Sequence, residues 1–248
     1  MASVKRLQST RYRVRSLALF QQRIELAFQR ISPREPIGPW SRTGLWILLV
    51  LVLAFFVITL NRQAFSDTRK GDLGVYFRAG WAARSGSDIY EVTDNHGWHY
   101  LYPPFLASLM IPLADPPDDA PTHERLNVLP FWVSASIWYW LNVLSVFASL
   151  HIVASALEQS RAASGVPPPP PFSQAWWALR IWPLLLTLFP VGDALGRGQS
   201  TALLLLLLSA TTAATLQGRN TTAGVCLGLA GVIKVFPIYL VQIGRAHV

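Results

Sequence analysis

The chain has 248 residues, of which 52% are apolar and only 14% are charged. Soluble domains carry about 25% charged residues, so the composition argues against an ordinary soluble enzyme and predicts a chain embedded in a bilayer. The formal net charge is +8, but the basic side chains cluster in residues 1–43, directly before the first apolar run. Because basic flanks set the orientation of membrane proteins, we interpret this charge as a cytoplasmic topology signal and expect no nucleic-acid partner.

Five apolar segments follow the basic segment in chain order. An apolar stretch of about 20 residues crosses the hydrocarbon core as a helix, and about 17 is the lower limit. The first segment is predicted to run outward from the cytoplasmic N-terminus, and the others alternate in direction. The predicted spans are Gly44 to Leu60, Asn127 to Leu157, Ala175 to Val191, Ser200 to Leu216 and Thr222 to Gln242.

A long loop separates the first two spans and is expected outside the cytoplasm. In it, Val75 to Arg84 is predicted to form a short helix along the membrane surface, with Arg78 off its apolar face. Phe105 to Leu113 is apolar but too short to span, so we interpret it as interfacial or re-entrant. The predicted fold is an all-α polytopic membrane protein with a transmembrane domain over 44–242. Residues 243–248 are expected not to be native sequence, with further helices missing after them.

The sequence GDLGVY, from Gly71 to Tyr76, places a carboxylate at the start of the predicted surface helix. Such a group can act as a general base toward a hydroxyl delivered from a neighbouring cavity. The position of Asp72 equally suits the N-cap of that helix, and spacing alone favours the cap. His96 and His99 lie three residues apart, but no third ligand accompanies them, so we expect no metal.

Two cations lie in or beside the later spans. Arg197, followed by Gly198 and Gln199, precedes the fourth predicted span, where a helix N-terminus and a guanidinium suit a phosphate. An ordinary cap with a glycine turn is the alternative. Lys234 lies inside the fifth predicted span, where a charge is costly and usually faces a functional cavity. Snorkelling of the side chain to the headgroups is equally compatible with its position.

Four blocks of sequence resemble glycosyltransferase family 87, the polyprenyl-phosphate-sugar-dependent enzymes of the GT-C architecture. They occur in the order and at the spacing typical of that family. One departure is Thr201, where the family more often has Asn. The blocks are DLGVYFRAG (72–80), YPPFLASLMIPLA (102–114), GQSTALLLL (198–206) and AGVCLGLAGVIKVFP (223–237).

The resemblance implies a plasma-membrane enzyme that moves a sugar, typically mannose, from a polyprenyl phosphate carrier to an extracytoplasmic glycan or glycolipid, with inversion and no other cofactor. It assigns Asp72 as the catalytic base, which reverses the preference for a cap. Arg197 and Lys234 become candidates for the carrier phosphate. The remaining candidate substrate contacts are Tyr76, Tyr102 and Gln199.

Two other functions stay open from the sequence. Related enzymes of the same architecture use arabinofuranose instead of mannose as the transferred sugar. A non-catalytic transporter or assembly protein is the other alternative, although the internal symmetry of inverted repeats that is typical of transporters is not found in this sequence.

Overall fold

The computed structural model describes residues 39–64, 71–126 and 128–238. Within these ranges the regular structure is helical, and the one β-type pairing is an isolated bridge between Thr93 and His99. The predicted all-α class is therefore confirmed for the described residues. The α-helices are α1 (Pro39–Ala64), α2 (Asp72–Ser85), α3 (Pro104–Met110), α4 (Thr122–Arg125), α5 (Phe131–Ala163), α6 (Gln174–Gly196), α7 (Thr201–Leu216) and α8 (Asn220–Ile233), with 3-10 turns at Ile111–Leu113 and Phe236–Ile238.

Among the described residues, two helices, α5 and α6, are long and apolar enough to cross a membrane. The apolar part of α1, together with α7 and α8, falls below that length, so the count of five spans remains a prediction. Much of the apolar surface of α6 faces outward, with Leu186 80% and Phe189 86% exposed. Large apolar side chains in that position are compatible with lipid as the surrounding medium.

The helix in the fifth predicted span ends earlier than expected. Helix α8 ends at Ile233, and Lys234 adopts an extended conformation with φ −146° and ψ 129°. Pro237 has no N–H to donate to the carbonyl of Ile233, and its ring would clash with that carbonyl in a continuous helix, which favours a break here. Lys234 therefore lies just after a helix and not inside one, contrary to the sequence-based expectation. Residues 239–242 of that span lie outside the described residues, as do the predicted non-native tail and most of the basic segment.

The longer helices pack side by side, with α5 against α1, α6 and α7, and α7 against α8. Polar contacts mark two opposite ends of this bundle. At one end, Arg180 near the start of α6 binds Glu158 near the end of α5, and Gln217 after α7 donates to Gln159 of α5. At the other end, Trp138 near the start of α5 donates to the carbonyl of Gly198, between α6 and α7. Successive helices from α5 to α7 are therefore antiparallel.

Helix α2 exists as predicted, but it is buried within the protein on more than one face; its position along the membrane surface remains a prediction. Tyr76, Phe77 and Ala79 are completely buried in the main apolar cluster. Gly80 allows close approach of α3, since a Cβ atom there would lie 2.7 Å from the carbonyl oxygen of Met110. The helix is apolar on several faces, and such a helix is buried rather than amphipathic.

Arg78 is buried as well, although it was expected to point away from the apolar face of α2. Its guanidinium Nη2 donates to Asn95 Oδ1 at 3.0 Å and lies 4.0 Å from Asp115 Oδ2. A buried charge is tolerated when it is paired and hydrogen-bonded. Arg78 therefore connects α2 to the loops on either side of α3.

Candidate functional site

Asp72 is the first residue of α2 and is half-buried at one end of the helix bundle. The N-cap is Gly71, and no side-chain hydrogen bond caps the helix, so the alternative that Asp72 is the N-cap is wrong. Its carboxylate Oδ2 instead accepts a hydrogen bond from the hydroxyl of Tyr102 at 3.1 Å. A negative charge in the first turn is also favoured by the helix dipole.

Gly71 brings the start of α2 against the turn after α6. A Cβ atom on Gly71 would lie only 2.6 Å from the backbone carbonyl oxygen of Arg197. Gly71 also has φ 128° and ψ −177°, a region that is essentially restricted to glycine. The close approach therefore requires glycine both for space and for backbone conformation, and it places the Arg197 turn beside Asp72.

Two buried hydroxyls lie behind Asp72 and Tyr102. The hydroxyls of Tyr76 and Ser200 are inaccessible to solvent, and neither has a hydrogen-bond partner among the described residues. Burial is the main reason that the pKa of Tyr76 is raised, and the neighbouring Tyr102 and Asp72 raise it further. Tyr76 therefore stays protonated and remains a potential donor on the inner side of the site.

Trp138 fixes the turn that carries Gln199 and Ser200. Its indole Nε1 donates to the carbonyl of Gly198 at 2.8 Å, and its ring lies edge-on to that of Tyr76 with centroids 6.2 Å apart. The predicted substrate contact Gln199 is half-buried and accepts from the Thr201 hydroxyl at 3.2 Å. Sequence analysis missed Trp138, because its partner lies 60 residues away and no local pattern connects the two.

Lys234 joins the site from the end of α8. Its ammonium lies 5.4 Å from the centroid of the Tyr102 ring, inside the range of about 6 Å that is typical of cation–π contacts. Tyr102 thus touches both Asp72 and Lys234. The structure therefore places Lys234 near Asp72, and both contact one shared aromatic side chain.

Arg197 contributes its backbone to this end of the bundle, but its guanidinium points elsewhere. The side chain is 61% exposed and pairs with Asp193, with Nε 3.1 Å from Oδ2. Helix α7 begins at Thr201, and Ser200 at its N-cap makes no capping hydrogen bond with its side chain. Contact between the Arg197 guanidinium and a phosphate would require the pair with Asp193 to open.

His96 and His99 lie in the loop between α2 and α3, and the rings of both contact groups of the same loop. Nδ1 of His99 is 3.1 Å from the carbonyl oxygen of Tyr90, and Nδ1 of His96 is 3.5 Å from Asp94. Asp94 itself closes the loop by accepting from the backbone amides of His96 and Trp98. Across the described ranges, no group of three or more His, Cys, Asp or Glu is placed to hold a metal ion.

Comparison with protein families matches residues 100–244 to the family described as glycosyltransferase family 87. The match covers more than half of the chain and includes Tyr102, Gln199 and Lys234. Asp72 and Tyr76 lie outside it, so their roles rest on geometry and on the resemblance of the segment around them. No curated protein and no solved structure matches the chain.

Proposed function

Since the chain belongs to glycosyltransferase family 87, we propose that it is a multi-pass membrane enzyme that uses a polyprenyl-phosphate sugar as donor. The transferred sugar is proposed to be mannose, and the acceptor is a glycan or glycolipid outside the cytoplasm. In this proposal the N-terminus is cytoplasmic and the end of the bundle that carries Asp72 is extracytoplasmic. The exposed apolar side chains of α6 and the length of α5 and α6 support a bilayer setting.

The observation that carries the proposal is the contact of one side chain, Tyr102, with both a carboxylate and an ammonium. Tyr102 binds Oδ2 of Asp72, and no described residue donates to Oδ1. In this proposal Oδ1 accepts the proton of an incoming hydroxyl, as a general base must. The ammonium of Lys234 lies over the same ring and carries the charge that a leaving phosphate requires.

The proposed reaction is a single displacement. Asp72 removes the proton from the acceptor hydroxyl while the oxygen of that hydroxyl attacks the anomeric carbon from the face opposite the carrier phosphate. The bond between that carbon and the phosphate oxygen breaks, and polyprenyl phosphate leaves with the bonding electrons. The configuration at the anomeric carbon is therefore inverted. Lys234 stabilises the developing phosphate charge, and Arg197 assists after it separates from Asp193.

The decisive experiment measures sugar transfer from labelled polyprenyl-phosphate mannose by the protein in membranes, comparing wild type with Asp72→Asn. Loss of the general base should lower kcat by about 10²- to 10⁴-fold, while the amide keeps the shape of the carboxylate. Asp118→Asn is the matched control, because Asp118 is an exposed aspartate of the same loop and should keep wild-type activity. Full activity of Asp72→Asn would refute the assignment of the base.

The same assay separates the alternatives. Transfer from a polyprenyl-phosphate arabinofuranose donor, with none from the mannose donor, would identify the arabinofuranosyl activity. Absence of transfer from either donor in a folded, correctly inserted protein would instead favour the non-catalytic transporter or assembly protein.

A further inference from the structure

We propose that Tyr102 is a positioning residue that holds the Asp72 carboxylate with its hydroxyl and the Lys234 ammonium over its ring, so that one side chain sets the separation of base and cation. The inference rests on the proposed function and extends it. Sequence analysis placed Tyr102 among the substrate contacts. Its own contacts in the structure are with the two groups that act on the substrate.

The hydroxyl of Tyr102 restricts the orientation of the Asp72 carboxylate. An ionised carboxylate only accepts hydrogen bonds, so Tyr102 is the donor in the 3.1 Å contact with Oδ2. Burial is the main reason that the pKa of Tyr102 is raised above its usual value, with Asp72 contributing. The hydroxyl therefore keeps its proton. With Oδ2 occupied, Oδ1 is the oxygen left for the acceptor.

The ring of Tyr102 provides the second contact. The ammonium of Lys234 lies 5.4 Å from the ring centroid, where the negative face of an aromatic ring attracts a cation. Lys234 follows the last turn of α8 in an extended conformation and is half-buried. The ring therefore gives this long side chain a defined place beside the base.

Tyr102 can define these positions because it is itself held on several sides. The ring of Tyr76 lies edge-on at a centroid distance of 5.0 Å, and that of Tyr100 lies at 5.7 Å. The hydroxyl of Tyr90 donates to the backbone carbonyl of Tyr102 at 3.3 Å. Pro103 follows and restricts the backbone of Tyr102 to extended conformations. A side chain fixed in this way is suited to orient its neighbours.

Two substitutions separate the hydroxyl from the ring. Tyr102→Phe keeps the ring and its packing but removes the donor to Asp72, and Tyr102→Leu removes both. The matched control is Tyr139→Phe, which deletes a buried tyrosine hydroxyl that donates to the backbone carbonyl of Phe56, away from Tyr102. Thermal unfolding of each variant checks that the fold is retained.

For Tyr102→Phe we expect kcat to fall by about ten- to a hundredfold, the range for loss of a hydrogen bond to a charged group, with the KM for the donor nearly unchanged. For Tyr102→Leu the donor KM should also rise by roughly two- to thirtyfold, from loss of the cation–π contact. Tyr139→Phe should match wild type in both kcat and donor KM.

Several results would overturn the inference. If Tyr102→Phe keeps the wild-type kcat while Asp72→Asn is inactive, Tyr102 does not position the base, although the proposed function stands. A rise in donor KM without a change in kcat for Tyr102→Phe would make Tyr102 a direct substrate contact instead. Equal donor KM values for Tyr102→Phe and Tyr102→Leu would remove the role of the ring. Full activity of Asp72→Asn would refute the proposed function itself.

Discussion

Replacing Gly71 by alanine should displace the turn after α6 from the start of α2. The added Cβ atom would lie 2.6 Å from the carbonyl oxygen of Arg197 and 3.1 Å from its Cα. Ordinary contact begins at 3.4 Å, so the two backbones must separate by 3.4 − 2.6 = 0.8 Å. Both contacting atoms belong to the backbone, and no side-chain rotation relieves them.

The size of the effect follows from this displacement and from the backbone conformation. An alanine held at the φ and ψ of Gly71 costs about 1–3 kcal/mol of folding free energy. A shift of about 1 Å in a catalytic group lowers activity by about 10²-fold. Because Asp72 is the next residue, we expect Gly71→Ala to lower kcat by about ten- to a hundredfold in addition to its effect on stability.

Gly86→Ala is the matched control for this experiment. Gly86 also has a positive φ, 79°, but nothing lies within 4 Å of a Cβ atom built there. Its replacement should cost about 1–2 kcal/mol of stability through the left-handed conformation alone and leave kcat unchanged. Both variants are compared by thermal unfolding and by sugar transfer. If Gly71→Ala keeps the same kcat as Gly86→Ala, the contact with Arg197 does not position the site.

Two further predictions concern stability. Glu158→Ala should lower the free energy of unfolding by about 3–5 kcal/mol, because Arg180, which is 8% exposed and 2.7 Å from Glu158, would lose its charged partner. In denaturant unfolding, the double variant with Arg180→Ala should lose less stability than the sum of the two single variants. Additive losses would contradict the coupling. The pKa values of Tyr76, Tyr100 and Tyr102 are raised mainly by burial, so above about pH 10, where unfolded tyrosines ionise, the folded state binds more protons than the unfolded chain. The free energy of unfolding should therefore not depend on these groups below that pH and should fall with pH above it. In Tyr76→Phe the slope of this fall should be smaller. An unchanged slope in that variant would contradict the prediction.

Much of the helical order could be predicted from the sequence, because apolar segments long enough to form helices are visible without knowledge of their partners. The break after Ile233 was harder to place. Pro237 signals that a helix ends nearby, but its ring clashes with the carbonyl of the residue four positions earlier, so the helix can end several residues before the proline. Lys234 was therefore expected within a helix, whereas it lies just beyond one.

The placement of α2 could not be predicted from its own periodicity. Val75, Ala79 and Ala82 form one apolar face, which matches a surface helix, but Tyr76 and Phe77 are buried equally deeply. Whether a second apolar face meets protein or lipid depends on which elements pack against it. Here α3 approaches closely at Gly80, which only the folded arrangement of the loop reveals.

The sequence by itself determined the helical class, the concentration of basic charge before the first apolar run, and the family, because these depend on composition and on motifs within short segments. It also singled out Asp72, Tyr102 and Lys234. The tertiary structure decided how they are related: Asp72 is not a cap, Lys234 is not within a helix, and Tyr102 touches both. The physical reason is that these contacts join residues far apart in the chain, 30 positions for Tyr102 and Asp72. A local pattern shows which side chains can interact, and packing selects the ones that do.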